Sequence, residues 1–222
     1  MSLRKTAGPA LAGLLSTLAL AMLPGEAGAQ DRDSHWGVSF GFTPRWSATQ
    51  STMPVGVLWD NVDELDLSGS ALRVGIVRGS ELGGDWGISF VRRRFRDESV
   101  IDFTSAGDAR YVTDGVSLTG VEIHRFSPFV TVGGAVQIGM EYGGGVGTLA
   151  GDVVATNRAD IGVLDVADAL REHGIPIVPL ARAELAAAVI AAPGLKVRIK
   201  GGFNFPGLQT FSVTINYLFG SR

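Results

Sequence analysis

The chain contains no cysteine. That excludes disulfide frameworks, thiolate metal sites and cysteine nucleophiles together, and it says nothing of redox compartment, because a closed sheet needs no covalent staple. Beyond residue 23 it also lacks any apolar run approaching the roughly 18 residues that a membrane-crossing helix requires. No loop carries the spaced carboxylates of a calcium loop, and Gly143-Gly144-Gly145 is not followed by the Lys and Ser/Thr of a phosphate-cradling turn. Positive charge is not in surplus either. The formal net charge is −3, so the basic patch expected of a nucleic-acid binder is missing and no nucleic-acid partner is expected. What the chain has in quantity is glycine, 31 of 222 residues, in a sequence that is 45% apolar. If such a chain resides in a membrane, it must do so by strands.

The N-terminus carries the most specific signal. Arg4 and Lys5 form a charged start, Leu11 to Leu23 an apolar stretch, and Ala27-Gly28-Ala29 a small-residue cleavage site. Thirteen residues reach only about 20 Å as a helix, short of the roughly 30 Å of hydrocarbon in a bilayer. Residues 1–29 are therefore expected to be a secretory signal peptide, cut after Ala29, with 30–222 as the mature domain. Removing Arg4, Lys5 and Glu26 leaves 17 basic and 21 acidic residues.

Period-two alternation dominates the rest of the chain. Trp36, Val38, Phe40, Phe42 and Trp46 share one face, and Gly37, Ser39, Gly41, Thr43 and Arg45 the other. Strand two runs from Leu72 to Val77, with Arg73 on its polar face, and strand three begins at Trp86, after the turn Gly79 to Asp85. At Arg92, Arg93, Arg94 and Arg96 charge replaces alternation, and the strand is expected to leave the apolar zone. Strand four, Gly115 to His124, changes parity between Leu118 and Val121, which a bulge near Gly120 would reconcile. A turn at Arg125-Phe126-Ser127-Pro128 then leads to strand five, ending in the glycine cluster at 143–145. Val163 to Glu172 reads as a short capped helix in the third long loop. Strand six, Ile177 to Ala191, carries Arg182 and Glu184, and the turn Pro193-Gly194 leads to strand seven, where Lys196, Arg198 and Lys200 share one face. Asn204-Phe205-Pro206-Gly207 makes the last turn. Strand eight is Phe211 to Phe219, about 30 Å long and roughly 21 Å high when tilted by about 45°.

Alternation alone suits a soluble sandwich as well as a membrane barrel. The connections separate the two. The first six alternate long and short, as in barrels with long outer loops and tight periplasmic turns, and an even count of eight strands returns both termini to one side. The expected fold is all-β: a closed antiparallel up-and-down transmembrane barrel of eight strands, with strand eight pairing to strand one.

This pattern resembles the small eight-stranded outer-membrane barrels of the OmpA/OmpX type, over Ser34 to Phe219. The resemblance is strongest in the last strand, where Phe211, Val213, Ile215, Tyr217 and Phe219 match the terminal signal that the barrel-assembly machinery reads in that class; Gly220-Ser221-Arg222 after the aromatic depart from it. The resemblance implies the outer membrane of a Gram-negative-type bacterium, monomers, and outer-membrane lipid and lipopolysaccharide as partners.

Three histidines raise an enzyme hypothesis, since some small barrels are lipid-modifying enzymes or proteases. His35, His124 and His173 fall at different heights without the local His-x-Ser pairing of the deacylases, so solvated or interfacial histidines are expected and no catalytic, cofactor-binding or metal-ligating residue is assigned. No cofactor is expected. The more specific group is Arg45, Arg73, Gln137, Glu141, Arg182, Glu184, Lys196, Arg198 and Lys200, read as a salt-bridged network filling a narrow lumen. This reading implies a structural or surface-interaction protein acting through its outer loops, with a narrow channel for anionic solutes as the alternative and a lipid-modifying enzyme third. Acidic loops holding Asp60, Asp63, Glu64, Asp66, Asp97, Glu98 and Asp102 are expected at the outer surface, with Arg92, Arg94 and Arg96 within reach of lipid phosphates.

Overall fold

The computed structural model describes residues 34–49, 62–103, 109–157, 162–172, 174, 176–204 and 208–220. The segment expected to be a signal peptide, residues 1–29, together with Asp60, His173 and the expected turn residues Phe205-Pro206-Gly207, lies outside them. The strands are β1 (His35–Thr49), β2 (Val62–Gly79), β3 (Asp85–Phe95), β4 (Val100–Phe103), β5 (Ala109–Val132), β6 (Val136–Ala155), β7 (Val163–Asp165), β8 (Val178–Ala192), β9 (Leu195–Asn204) and β10 (Leu208–Leu218), with one helix, α1 (Val166–Glu172). Eight of the strands close on themselves in the order β1-β2-β3-β5-β6-β8-β9-β10, with β10 pairing antiparallel to β1. The architecture is a closed eight-stranded antiparallel up-and-down barrel. The short strands β4 and β7 add to the sheet beyond one rim, β4 between β2 and β5 and β7 beside β6.

The register fixes the barrel's size. Following paired residues once around, from Gln137 through Ala188, Arg198, Thr214, Gly41, Arg73, Val91 and Gly120, returns to β6 at Gly147, ten residues further along. With strands about 4.8 Å apart and a rise of about 3.3 Å per residue, that stagger tilts the strands by roughly 40° and sets a backbone radius of about 8 Å. Such an interior holds side chains and little else.

Outside and inside are the reverse of a soluble protein. Phe40, Val74, Phe90, Ile123, Ile138, Leu185, Ile199, Phe211 and Ile215 are exposed on the outer wall, while the charged residues of β9 are buried within. A continuous apolar outer belt around a polar interior is the distribution that hydrocarbon demands of a closed barrel. At the end where β1 begins and β10 finishes, Trp36 and Trp86 meet edge to face with centroids 5.7 Å apart, Arg78 stacks over Trp36, and Tyr217 and Phe219 pair at 5.6 Å. This is an interfacial aromatic girdle. The connections at that end are tight, spanning 80–84, 133–135 and 193–194.

Several expectations are corrected. Arg125 to Pro128 is not a turn: β5 runs through it, and the chain reverses at 133–135, where Gly133 and Gly134 both have positive φ and the Ala135 N–H donates to the Val132 carbonyl at 3.3 Å. The glycine cluster at 143–145 does not end a strand, because β6 continues to Ala155. No bulge lies near Gly120; the register shift falls between Asp114 and Ser117, so Val116 and Leu118 are buried inside while Val121 and Ile123 face out. Strand three runs through the arginines to Phe95, with Arg92 and Arg94 outward and Arg93 inward. The helix is shorter than expected, since residues 163–165 pair with β6 before α1 begins.

Candidate functional site

The interior is built from one strand's charge and its neighbours' answers. β9 turns Lys196, Arg198 and Lys200 inward, and strict alternation keeps its apolar Val197 and Ile199 off that face. Arg198 pairs with Asp85 of β3 and, at 3.0 Å, with Glu141 of β6. Lys200 reaches Glu141 at 2.7 Å and Glu184 of β8 at 3.4 Å. Arg182, also on β8, meets Glu141 at 2.7 Å, Glu184 at 3.1 Å and Glu122 of β5 at 3.4 Å. Glu122 in turn takes Arg73 of β2 at 3.1 Å and Arg93 of β3 at 2.9 Å. Lys196 closes the end where β1 begins and β10 finishes: it lies 3.7 Å from Asp85 and donates to the Ser80 and Gly83 carbonyls at 3.0 and 3.1 Å. Ten charged side chains thus form one continuous chain of contacts along the barrel axis, six cationic and four anionic.

Neutral groups extend it. The Arg93 guanidinium donates to Asn204 Oδ1 at 3.1 Å, the Asn204 amide donates to Thr210 Oγ1 at 2.8 Å, and Thr210 and Ser212 donate to Glu184. Phe126 lies beneath Arg198, whose guanidinium sits 4.2 Å from the ring centroid, so a buried cation rests on an aromatic face. Above the charges, Val116, Leu118, Leu180 and Trp46 are buried towards the outer rim. Glycine makes room beside the network: a Cβ on Gly143 would stand 2.7 Å from the Ile123 carbonyl oxygen, 3.1 Å from Arg182 Nε and 3.2 Å from His124 Cβ.

Of the residues expected inside, Arg73, Gln137, Glu141, Arg182, Glu184, Lys196, Arg198 and Lys200 are buried there, although Gln137 makes no hydrogen bond through either amide atom among the described residues. Arg45 is not inside. The pairing of β1 slips between Phe42 and Arg45 against β10, and between Thr43 and Trp46 against β2, so Arg45 turns out to solvent and Trp46 turns in. The Trp46 ring then packs edge-on to Phe95 at 4.8 Å and its indole N–H donates to the Ser70 carbonyl at 3.2 Å. Sequence reasoning missed Asp85, Arg93, Glu122, His124 and Asn204. The parity of β3 and β5 would have found Asp85, Arg93 and Glu122, because each stands an even number of residues from an inward Ser89 or His124.

His124 corrects the expectation of solvated histidines: it is 2% exposed, inside the barrel. His35 is half-buried at the start of β1. Neither makes a hydrogen bond to a serine or aspartate among the described residues, and His124 Nδ1 has no partner there.

On the outer wall near the far rim, Arg45, Arg94 and Arg96 line a cleft of about 480 Å³ with Pro44, Ser68, Ser70 and Asp97. The cleft sits above the apolar belt, at the height where the outward side chains of β3 change from Phe90 to Arg92 and Arg94.

No protein-family model matches the chain, and no curated protein is similar to it in sequence. Among solved structures it is similar to Ail, the attachment invasion locus protein of Yersinia pestis, determined in complex with the heparin analogue sucrose octasulfate. The TM-score is 0.40 at 9% identity, over 83% of this chain and 96% of that one.

Proposed function

We propose that the chain is a monomeric outer-membrane barrel, exported by its N-terminal signal peptide and inserted by the barrel-assembly machinery through the Phe211 to Phe219 strand. Its lumen is plugged, and it serves as a structural or surface-interaction protein through what it carries beyond the outer rim. One observation supports this most directly. The β5–β6 ladder begins at Val132 and Val136 and continues to Tyr111 and Ala155, far past the apolar belt, and β4, β7 and α1 attach to that projection. Among the described residues, the opposite end carries only short turns. Extended backbone beyond the membrane has no role in spanning it, so selection for something outside is the economical explanation.

Replacing residues 153–165 with a short Gly-Ser linker should leave heat-modifiable gel migration intact while reducing adherence of expressing cells to a host-matrix surface. Unchanged adherence would remove the surface-interaction reading. The second reading, a narrow path for small anions, draws on the excess of cations inside. Planar-bilayer recordings separate the two: a plugged barrel gives no steady conductance steps, and regular anion-selective steps would favour the path. The cleft of Arg45, Arg94 and Arg96 suits the phosphates of outer-leaflet lipopolysaccharide, which guanidinium groups bind through paired N–H donors. No enzymatic step is assigned to any residue.

A further inference from the structure

The interior network is locally unbalanced. Three guanidinium groups, those of Arg73, Arg93 and Arg182, converge on the single carboxylate of Glu122 at 3.1, 2.9 and 3.4 Å, and all four residues are more than nine-tenths buried. Arg182 also meets Glu141 and Glu184, but those carboxylates serve Arg198 and Lys200 as well. The other partner of Arg93 is the neutral Asn204. Each arginine keeps at least one buried N–H group with no hydrogen-bond partner among the described residues, namely Nε of Arg73, Nη1 of Arg93 and both Nε and Nη2 of Arg182, and these four donors outnumber the single unpartnered carboxylate oxygen beside them, Oε2 of Glu122. A guanidinium does not give up its proton inside a protein, so this positive surplus cannot be removed by titration. Buried donors of this kind require an acceptor.

We propose that this cluster binds a small monovalent anion of the halide class, held by one N–H group from each of the three arginines. Single donors arriving from three strands suit a spherical acceptor. A carboxylate or phosphate would instead draw the paired, forked donation of one guanidinium. The anion site rests on the reading of the interior as a filled network, in which the ion completes the charge balance of the plug rather than passing through it.

The test uses the full mature barrel, refolded in detergent with sodium bromide so that the ion is present when the interior closes. Anomalous diffraction at the bromine edge should place a peak in contact with Arg73, Arg93 and Arg182, and a peak elsewhere or none overturns the proposal. In parallel, the unfolding midpoint is followed against chloride at constant ionic strength, with gluconate as the replacing anion. Stabilisation should saturate, should weaken about ten-fold in apparent affinity in Arg93→Gln, and should tighten about ten-fold in Glu122→Gln, where a competing negative charge is gone. Chloride dependence that is the same in wild type and Arg93→Gln overturns the site, even if Glu122→Gln fails to fold. Bilayer recordings on the same preparation keep the two readings apart. Steady conductance steps count against the plug whatever bromide does, and a silent barrel without bromide counts against the anion alone.

Discussion

β1 and β9 are separated only by β10, and both present apolar residues to the outer wall, yet their inner faces are opposites. β1 offers Gly37, Ser39, Gly41 and Thr43; β9 offers Lys196, Arg198, Lys200 and Asn204. The difference shows how a barrel of roughly 8 Å radius is filled. Not every strand can send in long side chains, so bulk enters from one arc and small residues recede on the next. Gly41 makes the accommodation visible: a Cβ there would stand 3.3 Å from both Arg73 Cβ and Thr214 Oγ1. The contrast predicts that the β9 side is sensitive to loss of charge and the β1 side to gain of volume.

The largest effect should come from removing the hub that answers β9. Glu141 contacts Arg182, Arg198 and Lys200, and Glu141→Ala leaves three buried cations short of a partner. Breaking a buried ion pair costs about 3–5 kcal/mol. Urea unfolding in detergent should show at least that loss, or the barrel should fail to assemble and lose heat-modifiable migration. A loss below about 1 kcal/mol, in the range of exposed pairs, would mean that the interior is hydrated enough to screen these charges.

Arg198→Ala ranks next. It leaves Asp85 with Lys196 alone at 3.7 Å and takes the cation off Phe126, while Glu141 keeps Arg182 and Lys200. About 3 kcal/mol is expected, at the low end for a broken buried pair because the remaining cations share the burden. Equal losses for Arg198→Ala and Glu141→Ala would show that no member acts as a hub.

On β1 the corresponding test adds volume. Gly41→Leu should cost about 1–3 kcal/mol by overpacking against Arg73 and Thr214, whereas Phe40→Leu, one residue away on the outer wall, should stay within about 0.5 kcal/mol. If the two substitutions behave alike in the same unfolding assay, the inner face of β1 has spare room and the packing contrast fails.

Much of the architecture is legible in period-two alternation, because hydrocarbon outside and charge inside write opposite chemistries onto alternate residues. The arginine and lysine faces of β2, β8 and β9 were visible for that reason. Alternation fails where the ladder slips, and the slips have local causes. Two fall at prolines, Pro44 in β1 and Pro128 in β5, where the missing N–H cannot join the ladder. A third brackets Gly115, which has positive φ. The Pro44 slip exchanged Arg45 for Trp46. Parity also loses its meaning near the outer rim, where the interior itself turns apolar: Val116 and Leu118 look like wall residues and are filling. Arg93 was hidden in a run of arginines whose alternate members face opposite sides. Partnerships across the lumen, such as Glu122 with three arginines from three strands, depend on barrel stagger, which no single strand encodes.

The smallest expected effect bears on the same contrast from the other direction. Ser39 lies on the inner face of β1 at 2% exposure, and its hydroxyl has no hydrogen-bond partner among the described residues. A buried hydroxyl without a hydrogen bond contributes little and carries its own desolvation cost. Ser39→Ala removes that oxygen without changing the space that Arg73 and its neighbours need, so stability should change by no more than about 0.5 kcal/mol, and in the stabilising direction if at all. A loss above about 1 kcal/mol would place an ordered water between Ser39 and the network. The inner face of β1 would then supply hydrogen bonds as well as room, and the division between a filling arc and a receding one would need to be redrawn.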